Sequence, residues 1–249
     1  MSLLSLTECF NSLYSEIRPG CRLLNNFPDH VSFHPYDHSN GCTRKLQFNA
    51  LDQLCHEASS DPSTLVVATD ASIIPPRNMQ AVSVAHFWRL EKQVSSSKAP
   101  AERATALDAK LFAIRLGVVK TTSFDVKRIV IITDYLTAAR RAVDTSVYSG
   151  QAHSLTIVQA LRDFFINHPD RSIHFWDCPS KAQWSLHFLV HKDATSIKIA
   201  AECHPATSLD VLWSKSTAVY LNAWRTSFAR PLSQGHYFLS LKGSTKNLL

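Results

Sequence analysis

Two apolar runs end in the same pair of residues. Leu65-Val66-Val67-Ala68-Thr69-Asp70 and Ile129-Val130-Ile131-Ile132-Thr133-Asp134 each read as a buried strand whose last residue is a carboxylate. A carboxylate at the end of a core strand is costly unless something pairs with it. Two of them, on strands separated by a helix, point to one shared cation site at the sheet edge. Taken singly, each aspartate also reads as a strand-end residue capping the turn or helix that follows. It is the pair that favours a site.

Other candidates are less well supported by their spacing. His187 and His191 lie four apart on an expected helix, but His-Phe-Leu-Val-His lacks the glutamate of the metalloprotease pattern, and no metal is expected there. His30, His34, His38 and Cys42 also recur every four residues. Pro35 and Gly41 interrupt any helix that could align them, so they read as chance in a polar loop. Ser72 has no matching His-Asp arrangement, and six glycines leave little material for a phosphate-binding loop. Arg140 and Arg141 follow the second carboxylate, and Lys181 lies in a later loop; these are the candidate phosphate contacts. Lys215, Arg225 and Arg230 punctuate the C-terminal segment.

The elements that must position these residues become legible at Thr64. Leu65–Asp70 is the first strand, Ala81–Leu90 partly alternates, and Gln93-Val94 begins an antiparallel partner. Ser95-Ser96-Ser97-Lys98-Ala99-Pro100 reads as a loop. A helix spans Leu107–Lys120, a strand Arg128–Asp134, and a short helix runs to about Val143. His153–Asn167 is amphipathic, with Leu155, Val158, Leu161 and Phe165 on one face. Ile173–Trp176 is a short strand and Gln183–Ala201 is largely helical. Strands alternating with helices after an antiparallel start indicate an α/β sheet with mixed pairing.

The expected division is 1–62 as an N-terminal extension or linker, 63–203 as the domain and 204–249 as a helical tail. In the extension, helices at Leu6–Ile17 and Leu46–Ala58 flank chain broken by Pro19-Gly20, Pro28, Pro35 and Gly41. In the tail, Trp213, Tyr220, Trp224 and Phe228 fall near helical spacing and read as a docking face.

The chain has 249 residues, 45% hydrophobic and 18% charged, enough for a sizeable core. A net charge of +6 suits a polyanionic partner. The six cysteines are scattered, without close zinc-type pairs, and no run approaches the roughly 20 apolar residues of a membrane span. The first residues lack the basic n-region of a signal peptide. These features lead to the expectation of a reduced intracellular protein, nuclear or cytoplasmic and not secreted, with no membrane partner.

The element order, Thr69-Asp70-Ala71-Ser72 on the first strand and Thr133-Asp134 on the fourth resemble the ribonuclease H fold. Lys110–Gly117, Ile131–Arg141 and Phe175–Ser180 resemble, more closely still, the RNase H-like regions of fungal non-LTR retrotransposon polyproteins. The resemblance covers about Leu65 to Cys203. It implies a mixed five-stranded sheet flanked by helices and a two-metal endonuclease cutting the RNA strand of an RNA–DNA hybrid. Such chemistry clusters carboxylates so that two Mg²⁺ ions can sit beside a phosphate. By position, Asp70 matches the first-strand aspartate, Asp134 the strand-four aspartate, and Asp193 is the nearest match to a third on the last helix. The family's glutamate falls at Lys110, whose ammonium repels metal ions and cannot ligate one. Asp108 substitutes only if the helix begins after it, and Glu102 is a remoter substitute. The resemblance thus implies a site weakened or lost at Lys110, with a non-catalytic nucleic-acid-binding or scaffold remnant as the alternative.

Overall fold

The computed structural model describes residues 23–35, 44–73, 80–166, 168–179, 184–196 and 207–228. A one-turn helix α1 (Leu23–Asn26) leads into strand β1 (Val31–His34), followed by helix α2 (Arg44–Ser60). Then come β2 (Thr64–Ile73), β3 (Gln80–Arg89), β4 (Lys92–Arg103), α3 (Ala106–Thr121), β5 (Arg128–Thr133) and α4 (Leu136–Ala142). The chain continues through α5 (Gln151–Phe165), β6 (Ser172–Asp177), α6 (Ser185–Ser196) and α7 (Leu209–Phe228).

One mixed sheet runs in the order β1-β6-β5-β2-β3-β4. β2, β3 and β4 pair antiparallel, whereas β5 joins β2, β6 joins β5 and β1 joins β6 in parallel. This is the mixed α/β sheet flanked by helices that the sequence implies, with six strands rather than five. The sixth is Val31–His34, in the stretch read as an extension. Its four residues are too few to stand out by pattern, and their pairing with Ile173–Trp176 creates the strand.

Alternate residues of the central strands feed two apolar layers. On one face Val67, Ala85, Phe87, Ile129 and Ile131 meet Leu111, Ile114 and Val118 of α3, together with side chains of α4 and α5. On the other, Val66, Ala68, Val84, Val130 and Ile132 meet Leu51, Leu54 and Ala58 of α2, Trp184, and Val190 and Ala194 of α6. Helix α2 therefore belongs to the layered body, not to a linker.

Ser95–Pro100, expected as a loop, is strand. A two-residue turn at Leu90 (φ 51) and Glu91 (φ 61) folds β4 back on β3, pairing Val84 with Lys98 and His86 with Ser96. Backbone twist at such a turn matches the strands it joins, so pairing overrides a loop-like composition, and Pro100 is tolerated because β4 is a sheet edge. Helix α7 is formed, with two of the expected stripe's aromatics turned to solvent. Trp213 and Tyr220 are each 77% exposed, and Val211 is the one buried side chain of the helix among those described. The expected helix at Leu6–Ile17 lies outside the described residues. No helix among them is long and apolar enough to cross a membrane.

Candidate cation site

Asp70 and Asp134 meet because their strands are parallel neighbours: Thr69 of β2 is in register with Thr133 of β5. Asp134 follows the last residue of β5, whereas Asp70, expected to end its strand, lies within β2, which stays paired with β3 as far as Ile73. Asp70 is 2% exposed, and its Oδ1 accepts the amide of Ala71 at 2.8 Å.

Helix α3 supplies the third member. Thr105 caps it, its hydroxyl accepting the Asp108 amide at 3.3 Å, so the helix starts at Ala106 and Lys110 lies in its second turn. Lys110 shares the sheet-facing stripe with Ala113, Ile114 and Gly117, at the i, i+3, i+4 and i+7 spacing of one helix face. Gly117 sets the closeness of the packing. A Cβ there would lie 3.2 Å from Thr69 Cγ2 and 3.3 Å from Val67 Cγ1. The consequence at the sheet end is direct: Lys110 Nζ donates to Asp70 Oδ1 at 3.0 Å and also to Asp134 Oδ1.

Helix α6 closes the site from the opposite face. His191 Nδ1 donates to Asp70 Oδ2 at 2.8 Å. His187, 3% exposed, places Nε2 3.8 Å from Asp134 Oδ1, and that buried nitrogen has no hydrogen-bond partner. Among the described residues, Asp70, Asp134 and His187 form the group that could hold a metal ion, with ligand atoms within 4.8 Å of one another.

The charges are mutually dependent. Burial alone would push the Asp70 carboxyl up, but the Lys110 ammonium, His187 and the hydrogen bonds from Lys110 and His191 hold it below its ordinary value. Burial would likewise lower Lys110, and the two carboxylates outweigh it, so its pKa is raised. Burial dominates at His187 and lowers its pKa, which keeps the ring neutral near pH 7.

The remaining sequence candidates fall elsewhere. Asp193 is held on β3 and β4, its Oδ2 accepting His86 Nε2 at 2.7 Å and Lys98 Nζ at 2.5 Å. Asp108 is in the first turn of α3, buried, with Ser149 Oγ donating to its Oδ2 at 3.0 Å; the helix does not begin after it, so it cannot swing in from the cap. Glu102 lies within β4 rather than in a loop. Arg140 is exposed on α4, whereas Arg141 pairs with Asp144 at 3.3 Å and lies over the Tyr148 ring at 5.0 Å. Lys181 lies outside the described residues. The histidines, expected to hold no metal, are the part of the site that sequence reasoning missed; their i, i+4 spacing on α6 was the available signal.

No protein-family model and no curated protein matches the chain. Among solved structures it is similar to the N-terminal RNase H domain of a Mycobacterium tuberculosis protein, solved as a fusion with maltose-binding protein. That similarity has 17% identity over 47% of this chain and 87% of the other, with a TM-score of 0.38. It is also similar to the RNase H domain of prototype foamy virus (14%, 54% and 90%, TM-score 0.39) and to RNase H1 of the archaeon Halobacterium salinarum (12%, 53% and 99%, TM-score 0.36). These similarities are low, and the chemistry of this chain rests on its own side chains.

Proposed function

We propose that this chain is an RNase H-like nucleic-acid-binding domain of retroelement ancestry in which a lysine replaces the metal ions of a nuclease site. The observation that carries the reading is the Lys110 ammonium bonded to both Asp70 and Asp134. One fixed positive charge there meets the need of two clustered carboxylates that a divalent cation would otherwise meet.

The residues do not fit a pair of Mg²⁺ ions. Mg²⁺ takes hard oxygen ligands in near-octahedral geometry, and this site offers two carboxylates, one neutral imidazole and an ammonium. Asp193 would be a third carboxylate only by leaving His86 and Lys98. The described side chains thus supply no ligand set for two-metal hydrolysis. Nucleic-acid contact is supported by the net charge of +6 and by Arg140, exposed on the helix that follows Asp134.

A labelled RNA–DNA hybrid tests both halves, with the full chain in Mg²⁺ as wild type, Lys110→Glu and Asp70→Asn. Wild type is expected to bind the hybrid with a steep salt dependence and leave it uncut. Cleavage by wild type that Asp70→Asn abolishes would overturn the reading in favour of an active nuclease. Failure of wild type to bind the hybrid at low salt would leave a scaffold.

A further inference from the structure

A cavity of about 270 Å³ lies between α2, the β3–β4 turn and the start of α6, lined by residues other than those of the cation site. Its apolar wall includes Trp88 and Trp184, 8% and 3% exposed. Its polar lining includes Asp52, Glu91 and His56, and among the described residues no lysine or arginine lines it. The recess combines two indole walls with two carboxylates, both exposed at its rim, on a chain of net charge +6.

Two details show that the recess is built. Trp184 Nε1 donates to Asp52 Oδ1 at 2.9 Å, tying an indole wall to the carboxylate and using only one of its oxygens. The turn holding Leu90 and Glu91 has positive φ at both residues, a conformation that favours Asn-Gly and strains Leu and Glu. Both strained residues line the cavity, and Ser59 Oγ of α2 donates to Glu91 Oε1 at 3.3 Å, holding the turn against the helix. The hairpin turn and α2 thus hold Leu90 and Glu91 at the rim of the recess.

We infer that this cavity binds an organic cation, a guanidinium or ammonium on a short apolar stem. Indole is the best aromatic partner for such a group, and the carboxylates supply its counter-charge. The volume is below the roughly 300 Å³ at which drug-sized pockets begin, and suits a ligand the size of one basic side chain.

Agmatine is the probe for the free cation, and a capped Gly-Gly-Arg-Gly-Gly peptide for a side chain presented by a partner. The readout on the full chain at physiological salt is the indole N–H resonances, with that of Trp184 assigned by Trp184→Phe. Saturable shifts at Trp184 and Trp88 are expected with at least one probe, and none with 1-hexanol as the uncharged control. Asp52→Asn keeps an acceptor for Trp184 and removes the charge; Glu91→Gln does the same at the turn. Each is expected to weaken binding about threefold. Tighter binding of the peptide assigns the site to a partner's side chain, and tighter binding of agmatine to a free metabolite. Equal shifts with 1-hexanol, no shift with either cation, or unchanged affinity in both charge variants would overturn the proposal.

Discussion

Replacing Lys110 by methionine removes the charge between the two carboxylates while keeping most of the apolar stem. At 3.0 Å from Asp70 Oδ1, an ammonium attracts a carboxylate by about 5–6 kcal/mol at an effective dielectric near 20. Desolvation of the partners offsets much of this, Asp70 being 2% and Lys110 16% exposed at the side chain. The cost of leaving a buried charge without its partner is about 3–5 kcal/mol, and the variant is expected to lose that much at pH 7. Its pH dependence is the sharper test. In wild type the depressed Asp70 carboxyl contributes stability above its unfolded value, about 3.9, and loses it as pH falls through its folded value. The raised Lys110 contributes below about 10.4 and loses it as pH rises through its folded value. Between pH 5 and 7 both contributions are constant. Without the ammonium, burial and Asp134 drive the Asp70 carboxyl above its unfolded value, so the variant is destabilised as pH rises and recovers as pH falls. Protonation of His187 between two unpaired carboxylates acts in the same direction. Urea unfolding at pH 7 and pH 5, followed by tryptophan fluorescence, should show the gap from wild type narrowing by about 1–3 kcal/mol. A gap below about 1 kcal/mol at pH 7, or one that widens at pH 5, would refute the ion-pair account.

Gly117→Ala gains helix propensity but places a methyl 3.2 Å from Thr69 Cγ2 and 3.3 Å from Val67 Cγ1, both buried beneath α3. A net loss of about 1–2 kcal/mol is expected by urea unfolding. Asp193→Asn removes the acceptor charge for His86 and Lys98 on a partly exposed helix. It should cost no more than about 1 kcal/mol and, in the Lys110→Glu background, leave Mn²⁺ binding measured by calorimetry unchanged. His153 has a folded pKa lowered to about 4 by burial and then by Arg115, so folding favours its neutral form. That preference is lost as pH falls from 6.5 toward 4. His153→Gln should therefore lose about 1 kcal/mol less stability than wild type between pH 7 and 5, after discounting for partial exposure.

The cation site was legible where chain-local pattern fixed geometry. The apolar runs ending in Asp70 and Asp134 announced buried strands. The resemblance to the ribonuclease H family then singled out Lys110 as the position facing that pair, and in the structure it shares the sheet-facing stripe of α3 with Ala113, Ile114 and Gly117. The histidines were not legible, because a helix shows its own spacing but not the element it packs against. Only the layering of α6 over β2 and β3 brings His187 and His191 to the carboxylates. Asp193 shows the same limit in reverse: its match by position did not foresee His86, 107 residues away along the chain.

By itself, then, the sequence determined the mixed α/β order, which follows from periodicity along the chain, while the clash between Lys110 and a metal-type carboxylate pair came from the resemblance to the ribonuclease H family together with the charge of an ammonium. Tertiary structure alone decided that β1 is a strand and that β4 continues through Ser95–Pro100, that Asp193 is held on β3 and β4, and that Trp213 and Tyr220 stay exposed. Each of these depends on which partner lies alongside, and backbone pairing and charge burial are settled between elements rather than within them.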